Sequence, residues 1–201
     1  MQKTLERMRA MGFEVVEVDT REQVREYLLQ DIPADSTVGV SGSVSVRETG
    51  VMEAMTKRGQ TVYSHWYVKP EDVEPMRVKA CGADVYLTSA NALTKHGELI
   101  LIDGAGNRVS AVAYGPKRVY FIVSHSKWVD GGYGAAVARI KRIACPPNAR
   151  RQEKELPCAI NNECDPESCT ADSMCRMTLS VNRAPRSRKM TLVFVKENLG
   201  Y

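Results

Sequence analysis

Three apolar segments between residues 84 and 127 place the strongest constraint on the fold of this chain. Val85–Thr88, Leu99–Asp103 and Arg118–Ser124 are short, and most of their side chains are aliphatic or aromatic. Runs of this length and composition predict buried strands. The chain therefore places several strands close together in sequence near its middle.

The residues between these strands predict a short helix and a hairpin. We expect the helix over Ala90–His96. The turn Asp103–Asn107 holds two glycines, which adopt the left-handed backbone region without strain. With apolar residues on both sides, this turn predicts a β-hairpin whose second strand is Arg108–Tyr114.

Along the whole chain, strand-like segments alternate with helical ones. This alternation indicates an α/β fold with a largely parallel sheet flanked by helices. The hydrophobic content of 43% is ample for one core, and no linker divides the chain, so residues 1–201 are expected to form one domain. Residues 145–176 show no sustained apolar period and are expected to be an irregular, cysteine-rich segment.

Composition argues against two classes of partner. No apolar run approaches the roughly 18 residues of a membrane span, and residues 1–7 predict an amphipathic helix rather than a signal peptide. We therefore expect a cytoplasmic protein that makes no membrane contact. The net charge of +4 is mild, and the single basic cluster, Arg183–Lys189, contains a proline typical of a solvated connector. A nucleic-acid partner is not expected.

A glycine–serine loop follows the predicted strand Thr37–Ser41 and leads into a helix. Backbone N–H groups at such a junction bind anions, and the serine hydroxyls and a nearby arginine add donors. The predicted ligand-binding residues of this loop are Ser41, Gly42, Ser43, Ser45 and Arg47. Glu48, in the first helical turn, is a candidate acid or base. A plain strand–helix turn with a capping hydroxyl explains the same residues equally well.

A second group of polar residues lies near the ends of the predicted elements in the 84–127 region. Strand ends are where ligands collect in open α/β sheets. The predicted ligand-binding residues here are Asn91, Thr94, Lys95, Gly104, Asn107 and Arg108. Asp103 and Lys127 are candidate catalytic residues, and Asp103 and Asn107 have the alternative role of turn formers.

Five of the six cysteines lie within residues 145–175, and four of them are regularly spaced. Cys158, Cys164, Cys169 and Cys175 follow a C-x5-C-x4-C-x5-C pattern among polar turn formers. Because disulfides are rare in a reducing compartment, clustering indicates a metal centre rather than cross-links. Iron–sulfur is slightly favoured over zinc, because zinc sites prefer closer pairs. Free thiols are the alternative, and Cys145 is left without a role.

The motifs together resemble those of the LUD-domain family, also called the lactate-utilisation protein family. The resemblance covers nearly the whole chain and is strongest over residues 91–119, where Asn91–Thr94, Asp103–Gly104 and Gly106–Arg108 stand in order. The Gly42–Ser43 turn matches the family's Gly-Ser loop, and Cys158–Arg176 is similar to a cysteine-bearing branch. Its usual C-x2-C pair is widened here to Cys164-x4-Cys169.

The resemblance implies the fold of ribose-5-phosphate isomerase, glucosamine-6-phosphate isomerase and the CoA transferases. In that superfamily the loop after an early strand binds phosphate or a CoA-like group, and carboxylates at strand ends do the chemistry. A homodimer is expected by analogy. Some LUD proteins belong to an iron–sulfur-dependent system that oxidises L-lactate to pyruvate, and many have no assigned reaction.

Three functions remain open from the sequence. The first is a lactate-utilisation-type redox or accessory protein that binds a small carboxylate or phosphate, carries the cysteine-ligated metal and works with a redox partner protein. The second is an isomerase or acyl- or CoA-transfer enzyme, with Asp103 or Glu48 as base and Lys127 stabilising developing negative charge. The third is a non-catalytic binding module with structural zinc.

Overall fold

A computed structural model describes residues 1–201 and contains two β-sheets with helices around them. The larger sheet has six strands, and every neighbouring pair in it is parallel. In spatial order they are β1 (Glu14–Val18), β10 (Lys189–Val195), β7 (Arg118–Ser124), β4 (Val85–Thr88), β2 (Val38–Val40) and β3 (Val62–Ser64). The predicted α/β fold with a largely parallel sheet is confirmed.

The smaller sheet has four strands and mixed pairing. In order they are β8 (Trp128–Val129), β5 (Ala92–Thr94), β6 (Leu99–Asp103) and β9 (Met177–Val181). Strands β5 and β9 both run antiparallel to β6, whereas β8 is parallel to β5. Strand β9 joins the end of the cysteine-rich segment to the body of the protein.

Nine α-helices surround the sheets. They are α1 (Gln2–Ala10), α2 (Arg21–Asp31), α3 (Val44–Glu48), α4 (Val51–Lys57), α5 (Val73–Cys81), α6 (Asn107–Tyr114), α7 (Tyr133–Arg139), α8 (Cys145–Arg151) and α9 (Pro157–Asn161). A π-helical turn, Ile140–Ala144, joins α7 to α8. A membrane-spanning helix needs a longer and more apolar stretch than any of these helices provides.

The core lies on both faces of the six-stranded sheet. Successive side chains of a strand point to opposite faces, and along β7 the adjacent Tyr120 and Phe121 are both fully buried, each in a different apolar cluster. Burial on both faces explains why the central strands are almost continuously apolar. It also leaves the strand ends as the places where the sheet can present polar groups.

The helix predicted over Ala90–His96 is wrong, because Ala92–Thr94 form strand β5. Ala92 pairs with Ile100 of β6, and all three residues of β5 are buried. Ladder hydrogen bonds on both sides of β5 outweigh the helix propensity of an Ala–Leu sequence.

The predicted hairpin and its second strand, Arg108–Tyr114, are also wrong, because the chain turns into helix α6. Gly106 has a φ of 89° and stands at the helix N-cap. The Asp103 carboxylate accepts hydrogen bonds from the backbone N–H groups of Arg108 and Val109, at 3.0 and 3.1 Å. These two bonds satisfy donors that a helix start leaves unpaired, so the turn opens a helix instead of reversing a strand.

The cysteine-rich segment, residues 145–176, is only partly irregular. It begins with α8 and α9, and regular structure is absent over residues 152–156 and 162–176. Two prolines in the first turn of α8 explain its placement, because proline is tolerated at helix starts.

Candidate functional site

A cavity of about 590 Å³ opens at the carboxyl ends of the parallel strands. Ser43, His65 and Ser89 line it within three residues of the ends of β2, β3 and β4, and Lys127 follows β7. Because parallel strands all end at the same edge, residues from four distant parts of the chain meet there.

The cavity wall is strongly basic. Its six cationic residues are Arg77, Arg108, Lys127, Arg151, Lys154 and Arg176, against two acidic residues, Asp103 and Asp172. Like charges gathered around a low-dielectric cleft raise the local concentration of the opposite charge. The cavity is therefore suited to an anion.

Lys127 lies at the floor of the cavity and is only 4% exposed. Its Nζ donates to the hydroxyl oxygens of Ser45, at 2.7 Å, and Ser89, at 3.1 Å. Burial lowers the pKa of Lys127 from 10.5 to about 7, and the nearby guanidinium groups of Arg139 and Arg108 add to the decrease. An amine with this pKa is present in both charged and neutral forms near pH 7.

Arg108 is fixed beside this floor by the start of α6. Its Nη2 donates to the Asn91 side-chain oxygen at 3.0 Å and to the carbonyl oxygen of Ile102. Burial lowers the pKa of Arg108, and Asp103 opposes that shift. Asn91, Asp103, Gly104, Asn107 and Arg108 all line the cavity, so the predicted strand-end residues near 91 and 103–108 come together there.

The glycine–serine loop contributes part of its length to the cavity. Gly42, Ser43 and Ser45 line it. The Ser43 hydroxyl also accepts from the backbone N–H of Val46 at 3.3 Å, which makes it the cap of α3. Ser41 is buried behind the cavity, where its hydroxyl donates to Thr88 at 3.1 Å.

Two further predicted residues, Thr94 and Lys95, lie outside the cavity wall. Thr94 is buried and donates to Glu98 at 2.9 Å, and Lys95 pairs with Asp130 at 3.6 Å on the surface. These contacts account for both side chains without a ligand.

Arg47 and Glu48 also lie outside the cavity wall, and each contacts a residue close to the cavity. The Arg47 guanidinium stacks on the Trp66 ring, 4.3 Å from its centre. Glu48 is exposed, and its carboxylate accepts the Gly200 backbone N–H at 2.7 Å. Gly200 packs over the floor of the cavity, since a Cβ there would lie 2.4 Å from the Ser45 hydroxyl oxygen.

Several lining residues were not predicted from the sequence. His65 and Ser89 directly follow β3 and β4, so the strand-end rule that selected Lys127 could also have found them. The His65 Nδ1 is buried without a hydrogen-bond partner, and burial lowers its pKa, with Arg77 and Arg151 adding to the effect. Arg151 stacks on Trp66 at 4.9 Å, and no sequence pattern marks that contact.

Five cysteines surround a small second cavity of about 20 Å³. Its cysteine lining is Cys145, Cys158, Cys164, Cys169 and Cys175. The Sγ atoms of Cys145 and Cys175 are 3.5 Å apart, which is a thiol contact and not a disulfide. No group of three or more His, Cys, Asp or Glu side chains has the spacing of a metal site.

Hydrogen bonding polarises this thiol pair. Either thiol can donate in the contact between Cys145 and Cys175, and this hydrogen bond lowers the pKa of Cys175 and raises the pKa of Cys145. Burial alone would lower the pKa of Lys141, but the adjacent Cys175 raises it. The pocket therefore favours one thiolate balanced by one ammonium group.

The two cavities are neighbours. Four residues line both of them, namely Cys145, Ser173, Met174 and Cys175. A group held by the cysteines would therefore lie beside an anion held in the larger cavity.

Comparison with known proteins identifies the family. No curated protein matches the chain. A crystal structure of a DUF162 family protein from Deinococcus radiodurans is 13% identical, covers 96% of this chain and 94% of its own, and superposes with a TM-score of 0.55. Ribose 5 phosphate isomerase A from Neisseria gonorrhoeae is 18% identical over 66% of this chain and 61% of its own, with a TM-score of 0.36. The sequence profile of the LUD domain matches residues 1–195, and the chain therefore belongs to the LUD-domain family.

Proposed function

We propose that this protein binds a small carboxylate or phosphate in the larger cavity and carries a cysteine-ligated metal centre beside it, as a redox or accessory protein of the lactate-utilisation type. The observation that carries the proposal is the wall shared by the two cavities, formed by Cys145, Ser173, Met174 and Cys175. A basic cavity next to a thiol cluster brings an anionic ligand close to a centre that can exchange electrons.

The charge of the larger cavity supports an anionic ligand. Six cationic side chains against two acidic ones leave excess positive charge in a partly closed space. Asp103 does not compete for the cations as a free carboxylate, because it is bonded to two N–H groups of α6. Electrostatic attraction is strongest where water is excluded.

The thiol pocket collects thiol groups of the kind that hold a metal centre, and metal binding would have to draw them closer together, because no three of them have the spacing of a bound ion. Cys158, Cys164, Cys169 and Cys175 would hold the metal, and Cys145 lies within reach as a fifth thiol. The fifth thiol, Cys145, is 3.5 Å from Cys175, and neighbouring sulfurs around a tetrahedral ion with bonds of about 2.3 Å are about 3.8 Å apart, so Cys145 could replace one of the four. When bound, an iron–sulfur cluster would supply one-electron transfer.

The size of the pocket favours a second candidate, a binding module with structural zinc. A volume of about 20 Å³ accommodates one atom-sized occupant. Zinc there would fix residues 157–175 in place without taking part in chemistry.

An isomerase or acyl- or CoA-transfer function receives less support. Glu48 is exposed outside the cavity, and the Asp103 carboxylate is occupied as a helix cap. Neither carboxylate is positioned to remove a proton from a bound ligand.

The test is anaerobic purification followed by an absorbance spectrum and by iron, sulfide and zinc analysis. Cys164→Ser is the test variant, and Cys81→Ser, which lies outside both cavities, is the matched control. Iron, sulfide and broad visible absorbance that are lost only in Cys164→Ser would support the redox proposal, and reduction of that absorbance by lactate or a partner dehydrogenase would identify the system.

Two other results would redirect the proposal. Stoichiometric zinc without colour would replace the redox role by the structural one. If the purified protein contains neither iron nor zinc, the proposed metal centre is overturned and only the anion cavity remains.

A further inference from the structure

We propose that Lys127 is a nucleophile that forms an imine with a small carbonyl compound bearing a carboxylate or phosphate group. The inference rests on the proposed anion site and adds the substrate class and a covalent step. It depends on the hydrogen bonds and the burial of the Lys127 amine, which distinguish it from every other basic residue in the cavity.

Both hydroxyl partners of Lys127 can only accept hydrogen bonds from it. The Ser45 hydroxyl donates its proton to the carbonyl oxygen of Leu199 at 3.2 Å. The Ser89 hydroxyl donates to the carbonyl oxygen of Ala90 at 3.1 Å. Each hydroxyl has one proton, so the two bonds to Lys127 use two N–H groups of the amine. In the neutral amine, the remaining tetrahedral position is the lone pair.

No carboxylate holds Lys127 in its charged form. Its Nζ makes no ion pair, and its hydrogen bonds go to the two serines. Glu48 acts only from a distance, while Arg108 and Arg139 oppose the positive charge. Desolvation together with neighbouring cations is how a lysine amine becomes nucleophilic near neutral pH.

Lys154, the other lysine of the cavity, provides the contrast. Its side chain is exposed, whereas Lys127 is 4% exposed. Water solvates an exposed ammonium group fully, whereas burial removes that solvation from the Lys127 amine. The cavity therefore contains one amine suited to attack and a set of cations suited to hold the anionic end of the substrate.

The step balances without a further reactant. The Lys127 lone pair forms a bond to the carbonyl carbon, and the carbonyl oxygen takes one proton from the amine to give a carbinolamine. The oxygen then takes the second amine proton and leaves as water, which forms the C=N bond. No oxidation or reduction takes place.

The test is reductive trapping of the purified full-length chain. We would add pyruvate or dihydroxyacetone phosphate with sodium cyanoborohydride, and measure adducts by intact mass and peptide mapping. The expected result is one adduct per chain, located at Lys127, with one probe reacting faster and thereby identifying the anionic group. Phosphate should slow labelling at Lys127 and leave labelling of exposed lysines unchanged, a measurement that needs no variant.

Two variants complete the design. Lys127→Arg keeps the charge and should lose the adduct, while Lys57→Met removes an exposed lysine of α4 far from the cavity and should keep it. Calorimetry with lactate and glycerol 3-phosphate, which have no ketone or aldehyde group, separates binding from reaction. If either analogue binds but Lys127 is not labelled, or if label spreads over exposed lysines, the imine is overturned and the anion site stands. If neither analogue binds and nothing is labelled, both proposals fall.

Discussion

The two walls of the larger cavity are held in place in different ways. The strand-end wall consists of the residues after β2, β3, β4 and β7, together with the start of α6. The cysteine wall consists of the lining residues between Cys145 and Arg176. In the strand-end wall, Lys127 bonds to Ser45, 82 positions away, and Ser45 bonds to Leu199, 154 positions away.

Side-chain bonds of residues 163–176 are mostly local, and the longer-range ones, between Cys175 and Cys145 and between Met174 and Asn148, involve sulfur and are weak. Ser168 bonds to Asp165 three positions away, Cys175 to Ser173 two away, and Arg176 to Ala171 five away. A segment with local bonds and few buried apolar side chains has low local stability. The strand-end wall is therefore the more firmly held of the two, and the cysteine wall is the one that the proposed metal would stabilise.

The largest effect is expected directly behind the strand-end wall, where β2 packs tightly against α5. In Gly39→Ala, the new Cβ would lie 2.1 Å from the backbone oxygen of Ala80 in α5. Since β2 and α5 cannot move apart without opening the core, we expect a loss of about 3 kcal/mol or more in the free energy of unfolding. Urea denaturation measures it. The control, Gly134→Ala in α7, has nothing within 4 Å and should gain about 0.5–1 kcal/mol.

Lys127→Met should stabilise the protein, because burying the Lys127 amine in the strand-end wall lowers the free energy of unfolding of the wild type. The folded-state pKa of Lys127 is about 7, against 10.5 when unfolded. The unfolded chain thus binds more protons between these values, and wild-type stability rises with pH over that window. We expect a gain of about 1–3 kcal/mol in Lys127→Met below pH 7 that shrinks above it. A difference independent of pH, measured by urea denaturation, would contradict this.

The contrast between local and long-range contacts also explains which parts of the fold the sequence predicts. The strands Leu99–Asp103 and Arg118–Ser124 were predicted correctly because burial on both faces leaves a continuous apolar run. Arg108–Tyr114 was not, because its Val and Ala residues suit a strand as well as a helix. The capping carboxylate of Asp103 decides between the two, and its role is visible only in three dimensions.

The residues of the candidate site likewise divide into those that the sequence could predict and those that it could not. Lys127 and Arg108 were accessible to sequence reasoning because Lys127 follows a strand and Arg108 stands at the start of a predicted element. The serine partners that define the state of Lys127 come from 82 and 38 positions away, and no local pattern connects them. Cys145 was left without a role for the same reason, since its neighbour Cys175 is 30 positions further along.

A smaller effect is expected from removing a charge in the cysteine wall. Lys154 is exposed, so its attraction to a bound anion is screened by water and salt. Lys154→Gln should weaken phosphate binding by about 0.2–1 kcal/mol, measured by calorimetry, and the loss should vanish at high salt. A loss of tenfold or more that persists at high salt would mean that the cysteine wall is as closed and rigid as the strand-end wall.

The smallest effect is expected where the two walls touch. In Gly104→Ala, the new Cβ would lie 3.1 Å from the backbone oxygen of Met174, so the cysteine wall must move by a few tenths of an ångström. Without metal it can do so, and we expect a change within about 0.5 kcal/mol in the free energy of unfolding. If metal fixes residues 157–175, the same substitution should cost more in metal-loaded protein than in chelator-treated protein. Urea denaturation of both forms tests this, and an equal cost would mean that metal does not stiffen the cysteine wall.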